Sequence, residues 1–329
     1  MNFLKVLILG SVIAVISTGC SSADQTSTNN SEALTIYTSI YPIQYAVEQI
    51  GGDSVSVNTV YPPGVDAHTY EPTSKDITSI AKSDAFIYLG AGMEGFAESA
   101  ANALSSQDVQ LLEIGENDEL FHAEEVSDHK NGHDDDSDNH EDEHEDEQTD
   151  DEHNHGDHDP HIWLDPLRMI ELAEMIKEEL ISLNPEEEAQ YNENFTSLKS
   201  DLVILDESFA EIINMKNNKH ILVSHAAYGY WEERYGIEQL AINGLSSSSE
   251  PSQKQLTEII DQAREHNLDY IIFEQNSSNR VSEIIQDQIG AETLTIHNLS
   301  VLTKEDLEEE KDYMSLMNDN LEVLDKAMK

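Results

Sequence analysis

The chain has 329 residues and a formal net charge of −50, because 67 Asp and Glu side chains outnumber 17 Lys and Arg. This length fits two domains of ordinary size or one large α/β unit. The charge argues against nucleic acid and anionic lipid surfaces as partners, and the single cysteine excludes an intramolecular disulfide.

The first residues have the pattern of an export signal. Lys5 precedes an apolar run that ends at Ile16, too short to span a bilayer, so we predict a signal peptide over residues 1–19. Ser17-Thr18-Gly19-Cys20 resembles the lipobox of bacterial lipoproteins, which implies acylation of Cys20. Residues 20–33 are polar and predict a flexible tether. We therefore expect an extracytoplasmic protein held by a lipid on the outer face of the cytoplasmic membrane.

Short β-rich runs then alternate with segments of helical periodicity. The predicted strands are Leu34–Thr38, Val55–Val60, Ala85–Leu89 and Val109–Ile114, and the predicted helices are Pro42–Ile50, Ser74–Lys82 and Met93–Leu104. Such alternation indicates a parallel sheet covered on both faces. We predict an N-terminal α/β lobe over residues 34–183.

An acidic, His-rich insertion over residues 128–159 interrupts this lobe. It contains sixteen Asp or Glu and seven His, too few apolar residues to offset the entropy of ordering, and we predict that it is disordered. His153-Asn154-His155-Gly156-Asp157-His158 matches a hydrolase zinc pattern, but no apolar strand precedes it to hold the ligands. An exported zinc hydrolase is therefore the less favoured alternative.

Two helices follow the insertion, and a second lobe follows them. Pro166–Leu183 is the first helix, and residues 184–216 are predicted to form a long linking helix whose apolar positions step by three or four residues up to Ile212. We predict that it braces both lobes. The C-terminal lobe, residues 217–329, has predicted strands at His220–Val223, Ile237–Ala241, Tyr270–Phe273 and Thr293–Ile296.

Four polar side chains lie where ligands are expected. His68 and His225 follow or end predicted strands, His161 lies between the insertion and a helix, and Glu274 ends an apolar strand where a carboxylate has no packing value. Ligands of open α/β sheets bind outside the carboxyl ends of the strands. Three imidazoles and one carboxylate suit tetrahedral zinc, although a single His after a strand is more often structural.

Longer motifs support this hypothesis. Pro62–Pro72, Asp159–Pro166, Ser224–Tyr230 and Phe273-Glu274 together resemble the metal-binding receptors of bacterial zinc and manganese ABC importers. The resemblance implies two four-stranded parallel-sheet lobes joined by a long rigid helix, with the metal in the cleft between them. It implies His68, His161, His225 and Glu274 as the ligands, Zn2+ as the transported ion and a membrane permease as the partner. We expect a monomer without enzymatic activity.

The alternatives concern the metal and a second role. Manganese receptors of this family generally have a carboxylate in place of His225 and an Asp in place of Glu274, so the residues present favour zinc. Donor type alone does not exclude copper. An adhesin-like surface lipoprotein is a further alternative, but attachment to a surface does not require four converging ligands. An enzyme would need an open coordination position for water.

Two acidic residues lie close in sequence to the predicted ligands. An acceptor for each ligating imidazole is expected, and Asp165 and Glu71 lie close in sequence to His161 and His68. Either could equally cap a helix or lie on the surface, so neither is in the predicted ligand set. The aromatic residues after His225, namely Tyr228, Tyr230 and Trp231, have helical spacing and are assigned to the core.

Overall fold

Short parallel strands form two four-stranded sheets in the computed structural model, which describes residues 33–122, 158–245, 251–275 and 280–329. The first sheet has the order β2-β1-β3-β4 and the second the order β6-β5-β7-β8. The strands are β1 Leu34–Thr38, β2 Val55–Thr59, β3 Ala85–Tyr88, β4 Gln110–Glu113, β5 His220–His225, β6 Glu238–Asn243, β7 Tyr270–Glu274 and β8 Glu292–Ile296. The predicted pair of four-stranded parallel sheets is confirmed.

Helices cover the sheets and connect the strands. They are α1 Tyr41–Gly51, α2 Ser74–Ile80, α3 Ala97–Leu104, α4 Pro166–Leu183, α5 Glu188–Asn214, α6 Gly229–Tyr235, α7 Gln253–Glu265, α8 Arg280–Ile289, α9 Lys304–Glu308 and α10 Tyr313–Ala327. Capping boxes open four of them, at Thr73, Ser252, Thr303 and Asp312. Each cap satisfies backbone N–H groups that the first helical turn leaves without partners.

The third helix begins four residues later than predicted. Gly90 and Ala91 have φ angles of 74° and 50°, in the left-handed region. The Glu94 carboxylate accepts hydrogen bonds from the backbone N–H groups of Leu89 and Gly90, at 3.0 and 2.8 Å. The segment before Ala97 is therefore a turn held by a buried carboxylate rather than the first turn of a helix.

The long helix α5 packs on helices that flank both sheets. Near its start, Asn194 Nδ2 donates to the Ile50 carbonyl at 2.8 Å, beside the first sheet. Near its end, Asp206 accepts from Arg234 Nη2 at 2.7 Å and from the Tyr235 hydroxyl at 3.0 Å, beside the second. Its 27 residues correspond to about 40 Å. A short 3-10 turn, Pro185–Glu187, precedes it, and Asn184 makes no side-chain capping bond there.

The buried face of α5 follows the predicted spacing with one change at the end. Its buried apolar positions are Tyr191, Phe195, Leu198, Leu202, Leu205, Phe209 and Ile213, where the sequence indicated Ile212. In the part of the chain that is described, no helix combines the length and apolar character needed to cross a membrane. The predicted signal peptide, Cys20, and most of the tether and the insertion lie outside the described residues.

Candidate metal-binding site

His68 lies on the loop that follows β2, and hydrogen bonds fix this loop from several sides. The Tyr61 hydroxyl donates to the Ala67 carbonyl at 3.0 Å, and the His68 N–H donates to Asp66 Oδ1 at 2.9 Å. The Gly64 N–H donates to the Leu302 carbonyl at 2.9 Å, which ties the loop to the segment after β8. The imidazole is partly buried as a result.

His161 is oriented by a neighbouring carboxylate. Asp159 Oδ1 accepts from both the backbone N–H and Nδ1 of His161, at 3.0 and 2.7 Å. Because an ionised carboxylate only accepts, Nδ1 carries a proton, and in the neutral tautomer the lone pair is then on Nε2. The Nε2 atom is buried and has no hydrogen-bond partner among the described residues. A buried acceptor without a partner is costly, and a metal ion would satisfy it.

His225 and Glu274 end the two central strands of the second sheet. Val223 pairs with Ile272 across β5 and β7, which brings the two polar residues together at the point where the strand order reverses. His225 Nδ1 lies 2.8 Å from Glu274 Oε1, and its Nε2 lies 2.6 Å from the Leu245 carbonyl oxygen. Both ring nitrogens therefore face acceptors, which favours the imidazolium form.

The hydrogen bond between His225 and Glu274 favours the charged form of both side chains. Burial by itself lowers the pKa of His225, but the hydrogen bond and charge of Glu274 outweigh burial and raise it above its ordinary value. Burial raises the pKa of Glu274, yet His225 outweighs burial and lowers it. Metal binding at His225 must therefore displace a proton, so affinity should weaken as pH falls.

The three imidazoles converge on one point. One nitrogen from each of His68, His161 and His225 lies within 4.8 Å of the other two, whereas ligands of a tetrahedral zinc ion lie about 3.4 Å apart. A contraction of at most about 1.4 Å would bring them to zinc distance. Burial, and then the neighbouring His161 and His225, lower the pKa of His68 to about 4. Its imidazole is thus neutral and able to bind metal at pH 7.

Glu274 contacts this three-histidine group through His225. Glu274, His225 and His68 line a cavity of about 130 Å³. The structure therefore brings the four predicted ligands to one cleft, three of them as a convergent group and the fourth hydrogen-bonded to it.

The acceptor for His161 is Asp159, not Asp165. Asp165 accepts from the Leu167 N–H at 2.9 Å and so caps α4, and its other oxygen pairs with Arg168 at 2.9 Å. In the sequence, Asp159 is the last residue of the predicted insertion. A carboxylate two residues before a histidine can accept from the backbone N–H of that histidine, and this forms the Asx turn seen here. Glu71 is exposed.

The aromatic residues after His225 are buried, as predicted. Two of them also support the site. The Tyr230 hydroxyl donates to the Asp159 carbonyl at 2.6 Å, and the Tyr228 hydroxyl lies 3.4 Å from Glu274 Oε1. Core packing and site geometry therefore share the same side chains.

Replacing Asp159 with Asn should weaken metal binding by about 10- to 100-fold, the usual effect of removing the charged partner of a ligating histidine. The neutral amide is a weaker acceptor than the carboxylate, so it makes Nε2 less basic and holds the ring less firmly. A competition titration with a chelator would measure this. Asp118→Asn, at an exposed aspartate elsewhere on the same lobe, is the control, and equal affinities of the two variants would contradict the role given to Asp159.

Comparison with known proteins identifies the family. The model of the periplasmic zinc-uptake complex component A, ZnuA, matches residues 36–327. The chain belongs to this family. The high-affinity zinc uptake system protein ZnuA of Bacillus subtilis is 30% identical over 312 residues, which are 95% of this chain and 93% of that protein. The resemblance drawn from the motifs is confirmed.

A further relative, known both by sequence and by structure, comes from Streptococcus pneumoniae. The zinc-binding lipoprotein AdcA is 29% identical over 320 residues, 97% of this chain but 60% of AdcA, so the chain spans well under two thirds of that relative. The Zn(II)-bound ZnuA-like domain of AdcA superposes with a TM-score of 0.70 at 28% identity, covering 90% of this chain and 98% of the domain. The ZnuA fold is thereby confirmed.

Proposed function

We propose that this protein is the zinc-binding receptor of an ABC importer, which captures Zn2+ outside the cytoplasm and delivers it to a membrane permease. One observation carries the proposal: nitrogen atoms of three histidines lie within 4.8 Å of one another. One of them, His161 Nε2, is buried without a partner among the described residues. Family membership and the zinc named in the relatives support the same ion.

The proposed ligands are His68, His161, His225 and Glu274. Three imidazole nitrogens and one carboxylate oxygen match the donors of tetrahedral zinc, whereas Mg2+ and Mn2+ favour oxygen ligands. Glu274 Oε1 lies 2.8 Å from His225 Nδ1, so metal binding replaces the proton-mediated contact between these residues with bonds to the ion. Zinc is here the cargo of the protein.

A receptor fits this ligand set better than a hydrolase does. Four protein ligands fill the tetrahedral shell, and a hydrolytic zinc site needs a position for water. We further propose a monomer that is anchored through acylated Cys20, with lobes over residues 34–183 and 217–329 joined by the linking helix. Supporting this arrangement, α5 is hydrogen-bonded to α1, beside the first sheet, and to α6, beside the second.

A metal titration of the purified protein tests the proposal. We expect one tight zinc site per chain, much weaker binding of Mn2+, and loss of the tight site when His68, His161 and His225 are all replaced by Ala. A strain that lacks the protein should grow poorly under zinc limitation and recover with the wild-type chain but not with the triple variant. Tight Mn2+ binding in place of zinc would overturn the assignment.

A further inference from the structure

Asn298 lies just after β8 and holds the Glu274 carboxylate. Its Nδ2 donates to Glu274 Oε2 at 2.8 Å. Its Oδ1 accepts from Gln275 Nε2 at 2.8 Å and from the Ser300 N–H and hydroxyl at 3.1 and 2.8 Å. Three donors around Oδ1 fix which end of the amide faces which partner, so the donor end points at Glu274.

The backbone of Asn298 is equally constrained. Its N–H donates to Gln275 Oε1 at 2.9 Å, and its carbonyl accepts from Trp163 Nε1 at 2.8 Å. Trp163 is two residues after His161, and its ring contacts that of His161 with centroids 5.3 Å apart. Asn298 therefore joins the strand end that carries Glu274 to the segment that carries His161.

The residues after Asn298 form a strap, residues 298–302, across the cleft. Leu299 is fully buried and has a φ of 61°, a conformation that is costly for a residue other than Gly and persists only where its surroundings impose it. The Ser300 carbonyl accepts from the Tyr41 N–H, and the Leu302 carbonyl accepts from the Gly64 N–H, each at 2.9 Å. The strap thus also reaches the loop of His68.

From this arrangement we propose that Asn298 is a positioning residue that makes Glu274 a monodentate ligand and thereby favours zinc over manganese. The inference rests on the proposed function, since it concerns the fourth ligand of that site. Asn298 holds Oε2, so Oε1, on the side of His225, is the oxygen that faces the cluster. One oxygen with three imidazole nitrogens gives the four-coordinate shell that suits zinc. A second oxygen would raise the coordination number toward the oxygen-rich shells of manganese.

Removing the amide should change the geometry at the metal as well as its affinity. In Asn298→Ala, Glu274 Oε2 loses the hydrogen bond from Asn298 that holds it away from the cluster, and we expect the carboxylate to turn so that both oxygens can approach the ion. We expect zinc to bind about 10- to 100-fold more weakly, the effect usual for outer-shell partners, while Mn2+ binding weakens less or improves. With Co2+ at one equivalent, the strong visible absorption of a four-coordinate ion should fall toward that of a five-coordinate ion.

Asn320 provides a matched control. It is also a buried amide beside the end of β8, where its Oδ1 accepts from the His297 N–H at 2.8 Å and its Nδ2 donates to the His297 carbonyl at 2.7 Å. Asn320→Ala should therefore lower the melting temperature without changing the Co2+ spectrum or the ratio of zinc to manganese affinity. A purely structural role for Asn298 would give the same result in both variants.

A double-mutant comparison closes the test. If Asn298 acts through Glu274, then adding Asn298→Ala to Glu274→Ala should change metal binding no further, because the two effects are coupled. An unchanged Co2+ spectrum and affinity ratio in Asn298→Ala, with Glu274→Ala still weakening zinc, would overturn this inference alone. A wild-type spectrum in Glu274→Ala would instead remove Glu274 from the proposed ligand set and the inference with it.

Discussion

Replacing His161 with Ala should weaken zinc binding by more than about 100-fold, beyond the effect of losing an outer-shell partner. The variant removes a buried nitrogen that has no other partner among the described residues and leaves two of the three convergent imidazoles. It also leaves the Asp159 carboxylate without the imidazole that it orients. A competition titration against a chelator of known affinity would measure the loss.

His266 is the control for this variant. It is a partly buried histidine whose ring stacks on His220, with centroids 3.7 Å apart, at the end of β5 away from the cleft. His266→Ala should leave zinc affinity unchanged, although it removes an imidazole of the same kind. The assignment of His161 fails if a folded His161→Ala protein binds zinc as tightly as the His266→Ala protein does.

The largest effect on stability is expected from Arg168→Ala, at about 3 to 5 kcal/mol, because the change breaks a buried charged network. The guanidinium donates to the backbone carbonyls of Leu120 and His122 and to the carboxylates of Asp165 and Glu233. It also lies 4.4 Å from the centre of the Tyr230 ring. Without Arg168, the buried Asp165 side chain keeps, among the described residues, only the hydrogen bond from the Leu167 N–H that caps α4. Burial already raises its pKa despite Arg168, so loss of the arginine favours the protonated form.

Urea denaturation of metal-free protein would measure this cost. The control is Lys254→Ala, since Lys254 is 86% exposed and pairs with Glu258 at 3.2 Å on the surface of α7. An exposed pair of this kind contributes roughly 0.3 to 0.5 kcal/mol. Equal losses of stability in the two variants would contradict the stabilising role that we assign to the buried network.

Much of the fold could be predicted because the strands are short β-rich runs that alternate with segments of helical periodicity. β1 has the predicted bounds, and β7 differs by one residue, Glu274. The late start of α3 could not be predicted, because it depends on the Glu94 carboxylate bonding backbone groups rather than lying on a helix surface. Periodicity alone does not report such a bond.

Part of the candidate site could also be predicted from the sequence, and part could not. His225 and Glu274 could be expected to meet, because the carboxyl ends of neighbouring parallel strands share one edge. The partner of His161 could not be chosen, since Asp159 and Asp165 are both close in sequence. A 3-10 turn, Ile162–Leu164, decides between them by carrying Asp165 to the start of α4. Asn298 was missed because its contact with Glu274 depends on a strap whose path crosses the cleft.

The unbroken helix α5 has a consequence for how an ion could leave the cleft. Because α5 packs on helices that flank both sheets, separating the two halves would disrupt that packing, and we expect an ion to leave through movement of single side chains instead. His161 and His225 are buried and rooted in a helical turn and a sheet, whereas His68 lies on a partly exposed loop. If the three-histidine group holds the ion as proposed, we expect release to begin at His68, and we expect contact with the exposed Pro63 or Gly64 to move this imidazole before the other two.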